Sequence, residues 1–184
     1  MIVAVEGIDC SGKGTICPML ATALNAILYK TPPDHMRSEQ DKINATATDV
    51  DHYRYFTRVV QAASEDLSVL SAGRNVVIDR YWVTTVVYHR AMGLPAQLDD
   101  IGNIVMPDLT VYITVSPDVQ AKRMRVRGMS PGDKRMSGKQ HLIRQVYDEV
   151  LSCQKNVIRV DTSNLMPEQV VDQIFSAIPL VRSG

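Results

Sequence analysis

The apolar positions of this chain fall into two alternating patterns, short β-branched runs and longer stretches at helical spacing. Residues 2–5 form the first run, which stops at a glycine turn. Residues 13–24 then read as a helix, although Pro18 inside it removes a backbone donor just past the first turn. A short strand is expected at 27–29. Residues 30–43 are polar, and Pro32 and Pro33 force extended backbone, so a loop is expected there. From 45 to 72 the spacing is helical throughout, with Gly73 as the stop. Residues 75–78 are continuously apolar and end on Asp79, the pattern of a parallel strand buried on both faces. Helical spacing runs on to Met92, followed by a Gly/Pro loop at 93–95, a strand at 109–115 and a helix at 117–126. A glycine-, proline- and charge-rich loop at 128–138 precedes a helix at 141–151, a strand at 157–160 and a closing helix at 167–177. Strands alternating with helices imply a parallel sheet covered on both sides, a three-layer α/β/α fold with five strands. No repeat or linker divides the 184 residues, so a single domain spanning 1–184 is expected.

Charge changes this picture only locally. Twenty basic residues balance twenty acidic ones, so no global field favours nucleic acid or an anionic membrane. Yet Lys122, Arg123, Arg125, Arg127, Lys134, Arg135, Lys139 and Arg144 cluster against the single acid Asp133, a patch suited to a small polyanion. Cys10, Cys17 and Cys153 have neither disulfide nor zinc spacing. The N-terminus shows no leader pattern, and no apolar run approaches membrane-spanning length. A soluble protein of a reducing cytoplasm is the expectation, and the pattern leaves room for a homodimer.

The densest chemistry is Gly7-Ile-Asp-Cys-Ser-Gly12-Lys13-Gly14-Thr15, directly after a strand and opening a helix. Glycines let such a loop curl so that successive N–H groups face one phosphate. The helix N-terminus adds its positive end, and Lys13 a mobile ammonium. The strict phosphate-loop pattern has Ser or Thr after the lysine, where Gly14 stands; Thr15 is the available hydroxyl for magnesium or phosphate. Gly7, Cys10, Ser11, Gly12, Lys13, Gly14 and Thr15 are therefore the candidate ATP-binding residues. Asp79 ends a buried strand at the carboxyl edge of the sheet, where open α/β sheets bind ligands. It can hold magnesium together with Thr15, while the adjacent Arg80 can grip a phosphate. A strand-end aspartate that merely caps the next helix is the plainer alternative.

These segments resemble the thymidylate kinase family of nucleoside monophosphate kinases. Residues 5–15 are similar to its opening, and Asp79-Arg80-Tyr81 looks like its Asp-Arg-Tyr motif. Residues 107–112 resemble the strand before its lid, and 160–163 the loop beside adenine; a Gly-Lys-Gly-Thr ending also occurs in adenylate kinases. The resemblance implies ATP and Mg²⁺ as cofactors and a small phosphate acceptor, a nucleotide, as partner. It implies that Asp9 bonds the acceptor's 3′-hydroxyl, Arg80 holds its phosphate, Tyr88 lies against the 2′ edge of its sugar, Arg58 reads its base, and Thr84 is a further acceptor-site residue. Asp161 and Arg123 would lie on the ATP side. A lid at about 127–140 would bring Arg127, Lys134 and Arg135 to the transferring phosphoryl group, with Lys13, Asp79, Arg80, Arg127 and Arg135 as catalytic candidates. The lid matters because Cys10 stands where some relatives carry a catalytic arginine.

Departures concentrate at the acceptor end. The arginine of a Thr-Arg-Glu-Pro-Gly-Gly motif is missing near Thr31, leaving Lys30 or Arg37 as substitutes. Arg54 stands where an aromatic should stack on the base, with Tyr55 and Phe56 beside it on different helix faces; Arg54 pointing to solvent while Tyr55 or Phe56 stacks is the plainer alternative. Two guanidiniums, Arg54 and Arg58, would favour an acceptor richer in oxygen or charge than thymine, and dTMP is expected to be a poor substrate. A kinase of a nucleoside or other small acceptor, and a regulator that binds ATP without transfer, are the alternative functions.

Overall fold

The computed structural model describes residues 1–182. Five parallel strands form one sheet in the order β2-β3-β1-β4-β5, with β1 Ile2–Glu6, β2 Ala26–Lys30, β3 Asn75–Asp79, β4 Leu109–Thr114 and β5 Val157–Asp161. The pleat of β1 explains the layering. Ile2 and Ala4 point into one core and Val3 and Val5 into the other, so all four positions must be apolar. The first core is closed by α3 Asp49–Leu70, α4 Trp82–Ala91 and α7 Gln140–Ser152 through Val60, Leu67, Val86, Ile143 and Tyr147. The second is closed by α1 Lys13–Ala23 and α8 Pro167–Arg182 through Ile16, Leu20, Val170 and Ile174. The five-stranded three-layer α/β expectation is met.

Helix α1 continues through Pro18, which lies on its exposed face, where water can serve the backbone carbonyl that loses its donor. Two connections differ from expectation. The stretch expected to be a loop at 30–43 contains α2 Asp34–Thr46. None of its residues is buried, so no apolar periodicity marks it; Pro33 sets the extended entry and Asp34 faces the N-terminal dipole. The long helix expected from 45 begins instead at Asp49, because the Thr48 hydroxyl accepts from Asp51 N at 3.1 Å and ends the extended link at Ala47. After α5 Pro117–Arg127, the loop expected at 128–138 carries one short helix, α6 Pro131–Arg135. Asp133 caps it by accepting from Ser130 N and Oγ at 2.8 and 2.6 Å.

The topology sets the site. From β3, on one side of β1, the chain crosses to β4 on the other. Val5 pairs with Asp79 in register, so the loop after β1 and the turn after β3 lie side by side at the carboxyl edge.

Candidate active site

The loop after β1 starts at a position with no room for a side chain. A Cβ on Gly7 would lie 2.4 Å from the Ile113 carbonyl oxygen of β4, so only glycine fits. Cys10 and Gly12 take left-handed conformations, at φ 62 and 108, which curl the loop back to the start of α1. Lys13 is buried, and its ammonium donates to the Gly7 and Ile8 carbonyls at 2.8 Å and to Ser11 Oγ at 3.3 Å. Burial, and then the neighbouring charge of Arg80, lower its pKa to about 8. This is a cation stripped of water beside a cradle of N–H groups, an arrangement that gains from an arriving phosphate.

Arg80 holds a strained left-handed backbone (φ 67), fixed by its N–H donating to Val5 O at 3.0 Å. Its guanidinium ion-pairs with Asp9, donates to Gly7 O at 3.1 Å, and lies 5.4 Å from the centre of the Tyr88 ring. Tyr88 Oη donates to the other Asp9 oxygen at 2.7 Å. Burial pushes the Asp9 carboxyl up, but Arg80, Lys13 and Tyr88 outweigh it and hold Asp9 below the ordinary carboxylate range. Beneath them lies Glu6, a fully buried carboxylate at the end of β1. It accepts from Tyr81 N at 2.9 Å and from Thr84 Oγ1, and burial raises its pKa. Thr84 Oγ1 is in turn 2.9 Å from Tyr147 Oη and 3.4 Å from Arg80 Nη1. Glu6 thus anchors the turn that carries Arg80.

Two concavities meet here. An open depression is lined by Cys10, Gly12, Lys13, Gly14, Thr15, Asp79, Arg123 and Arg127, with Asp9 and Arg80 at its edge. Beyond that edge lies a second, more enclosed cavity of about 140 Å³. Asp9 and Arg80 line it too. Its far end is walled by His52 and Phe56 of α3, Thr85, His89 and Met92 at α4, and Asn44 of α2, with Ser130, Gly132 and Asp133 of the segment around α6 completing it. Burial first, then mutual and Arg135 repulsion, lowers the pKa of His52 to about 3; burial likewise lowers His89 to about 4, so both rings are neutral at pH 7.

The remaining expected site residues are distributed unevenly. Arg123 lies at the depression, yet its guanidinium is committed to the Cys10, Ser11 and Thr162 carbonyls and to Thr162 Oγ1 at 2.8–3.3 Å. It braces the loop against the turn after β5. Asp161 is exposed and accepts from Ser163 N at 2.8 Å; its neighbour Thr162, donating to Ser11 O at 2.6 Å, is the residue that touches the loop. Arg127 is half-exposed and paired with Asp133, and Lys134 is exposed. Arg135 reaches the second cavity, but its guanidinium is spent on the carbonyls of Asn44 and Ala47 and on Asp49, tying α6 to the α2–α3 link.

Four expected acceptor residues lie elsewhere. Lys30 and Arg37 line a separate surface depression with Tyr29, Asp34 and Asp66. Arg54 is exposed and paired with Asp51, and Arg58 is exposed. The reason is helical register. His52, Tyr55, Phe56 and Val59 occupy the inward face of α3, and Arg54 and Arg58, one turn apart, share the outward one. The expected pocket with two guanidiniums is therefore not formed, and Phe56 is the aromatic that lines the cavity. Glu6, Asn44 and His52 escaped sequence reading, Asp133 was read only as the one acid of a basic patch, and Phe56 only as the alternative to Arg54. Only Glu6 carried a local signal, a charge ending an otherwise apolar strand.

Thr15 and Asp79 line the same depression, and among the described residues neither side chain has a protein hydrogen-bond partner. One hydroxyl and one carboxylate beside a phosphate cradle fit magnesium, which takes few protein ligands and completes its shell with phosphate and water.

Comparison with known proteins agrees with this geometry. The family model described as thymidylate kinase matches residues 5–174. A probable thymidylate kinase of Archaeoglobus fulgidus is 32% identical over 73% of this chain and 74% of its own length. A thymidylate kinase of Xylella fastidiosa is 32% identical over 71% of this chain and 69% of its own. Among solved structures, a thymidylate kinase from Candida albicans superposes with a TM-score of 0.80 at 21% identity, covering 98% of this chain and 92% of that one. A deoxyadenosine kinase from M. mycoides has a TM-score of 0.70 at 17% identity, covering 98% and 100%. Fold, phosphate loop and a family match over nearly the whole length agree, and the chain belongs to the thymidylate kinase family of ATP-dependent nucleoside monophosphate kinases.

Proposed function

We propose that the protein moves the γ-phosphoryl group of ATP onto the 5′-phosphate of a deoxynucleoside monophosphate seated in the second cavity. One observation carries this reading: Asp9 and Arg80 line both concavities, so a group leaving one enters the other across their shared edge. A phosphate oxygen of the acceptor attacks the γ-phosphorus, and ADP leaves. In this reading the loop N–H groups and Lys13 follow the charge of the transferring group, and Arg80 turns from Asp9 toward the acceptor phosphate. Asp9, freed from Arg80, accepts from the 3′-hydroxyl. Tyr88, bonded to Asp9, occupies the 2′ side and favours deoxyribose.

Thr15 and Asp79 would hold magnesium, which neutralises phosphate charge when bound. Residues 127–140 are read as the lid, with Arg127 its nearest cation to the loop. By family, dTMP is the first acceptor to test. We assign the protein to the cytoplasm, with small nucleotides rather than nucleic acid or membrane as partners, in keeping with its zero net charge. The test is ADP release from ATP against a panel of nucleosides and nucleoside monophosphates. Release that requires a deoxynucleoside monophosphate supports the reading. Release that prefers nucleosides, or ATP binding without any release, overturns it.

A further inference from the structure

The carbonyls of residues 7–11 in the phosphate loop are all engaged by side chains, but they are not held alike. Lys13 takes those of Gly7 and Ile8, and Arg123 those of Cys10 and Ser11, so a cation fixes four of the five. The Asp9 carbonyl between them has one partner among the described residues, the neutral amide of Gln120 on α5, whose Nε2 donates to it at 2.9 Å. Gln120 is buried, and its direction is fixed from both ends. Its Oε1 accepts from one guanidinium nitrogen of Arg144 on α7, a group that only donates. Arg144 anchors its other terminal nitrogen on the Val115 carbonyl at 2.8 Å. The NH₂ group of Gln120 is left for Asp9 O, which only accepts.

In a trans peptide the N–H points opposite to the C=O, so the Cys10 N–H is directed away from Gln120. It has no protein acceptor among the described residues, and Cys10 lines the depression, which Gln120 does not. This orientation costs Cys10 a left-handed backbone, φ 62, which a side chain disfavours. Turning the Asp9–Cys10 peptide over would return Cys10 to a negative φ of about −120 and put a carbonyl oxygen where the N–H now lies. We propose that Gln120, its amide aligned by Arg144, is a positioning residue that locks this peptide with its N–H toward the phosphates of ATP. The proposal rests on reading the depression as the ATP site. Gln120 lines neither concavity and acts only through the main chain of Asp9.

Inorganic tripolyphosphate, which has neither base nor sugar, probes the cradle alone. By titration calorimetry Gln120→Met, a side chain of like length, should bind it about 10-fold more weakly than the wild-type protein, the scale of one lost hydrogen bond. Glycine adopts positive φ freely, so adding Cys10→Gly should recover at least about threefold of that loss. The recovery should exceed what Cys10→Gly gains in the wild-type background, where the lock is intact. Should Gln120→Met fold poorly, Arg144→Met, at a half-buried position, gives the same comparison with a loss of about threefold and the same rescue. A glutamine that only supports packing would lower the thermal midpoint without a binding deficit that glycine at position 10 repairs. Wild-type affinity in both single variants, a loss that Cys10→Gly leaves unrepaired, or no binding of tripolyphosphate by the wild-type protein would each overturn the proposal. Acceptor-dependent ADP release judges the kinase reading separately. Loss and rescue as expected without such release sink that reading alone; release with wild-type binding in both single variants sinks the lock alone.

Discussion

The two concavities that meet at Asp9 and Arg80 are built from different materials. The depression over the phosphate loop is made of backbone and charge: a curled main chain, a buried ammonium, a guanidinium and a carboxylate. The far end of the second cavity is neutral. Its one arginine, Arg135, spends both terminal nitrogens on carbonyls and Asp49, and most of what remains are rings, hydroxyls, amides and methionines. The contrast fits the chemistry proposed for each end. Phosphoryl transfer needs fixed charge where charge develops, whereas a neutral base is told from another by shape and the direction of hydrogen bonds.

The largest effect should come from the charged end. Lys13→Ala removes a group that tracks the phosphoryl into the transition state and should lower kcat by ~10²–10³-fold. The thermal midpoint should change little, because the cost of burying that cation offsets the hydrogen bonds it makes. Steady-state kinetics and a melting curve on the same sample check this; unchanged turnover would break the charged half of the comparison.

Next in size is the neutral end. Phe56→Ala should lower kcat/KM for the acceptor by ~10–100-fold, the scale of one aromatic–base stack, and leave the KM for ATP near its original value. Arg54→Ala and Arg58→Ala, on the outward face of the same helix, should change either by less than about twofold. A loss at Arg54 equal to that at Phe56 would mean the facing of α3 is misassigned.

The difference between the ends also decides what the sequence discloses. The phosphate loop was legible because its function lies in the spacing of glycines and one lysine within nine residues, and backbone geometry follows that spacing wherever it occurs. Asp79 was legible because a continuous apolar strand can end at only one place in a parallel sheet. The base end was not. It draws Asn44, Phe56 and His89 from three helices, and a shift of two residues in helical register exchanges Phe56 for Arg54. Helix α2 left no trace in the apolar pattern because it buries nothing. The family spacing pointed to Arg58, and the structure turns it to solvent.

A smaller effect should appear in stability against pH. His52 and His89 have folded pKa values of about 3 and 4, below the ordinary 6.5, so the unfolded chain binds protons that the folded one refuses. Stability is complete above pH 6.5 and falls as pH drops toward 4, by up to about 1.4 kcal/mol per pH unit for each ring. Urea unfolding of wild type and His52→Phe at pH 7, 6 and 5 should show a shallower decline in the variant. Parallel declines would mean the rings are not held neutral.

The joining of the two concavities at Asp9 and Arg80 is the central claim. Its most direct test is an adenosine and a deoxynucleoside linked through five phosphates, titrated calorimetrically with and without competing ATP or monophosphate. One ligand should bind per chain, displaced by either nucleotide alone, and at least ~10²-fold more tightly than the better of the two because the second half binds intramolecularly. Displacement by ATP only, with affinity no greater than that of ATP, would contradict it.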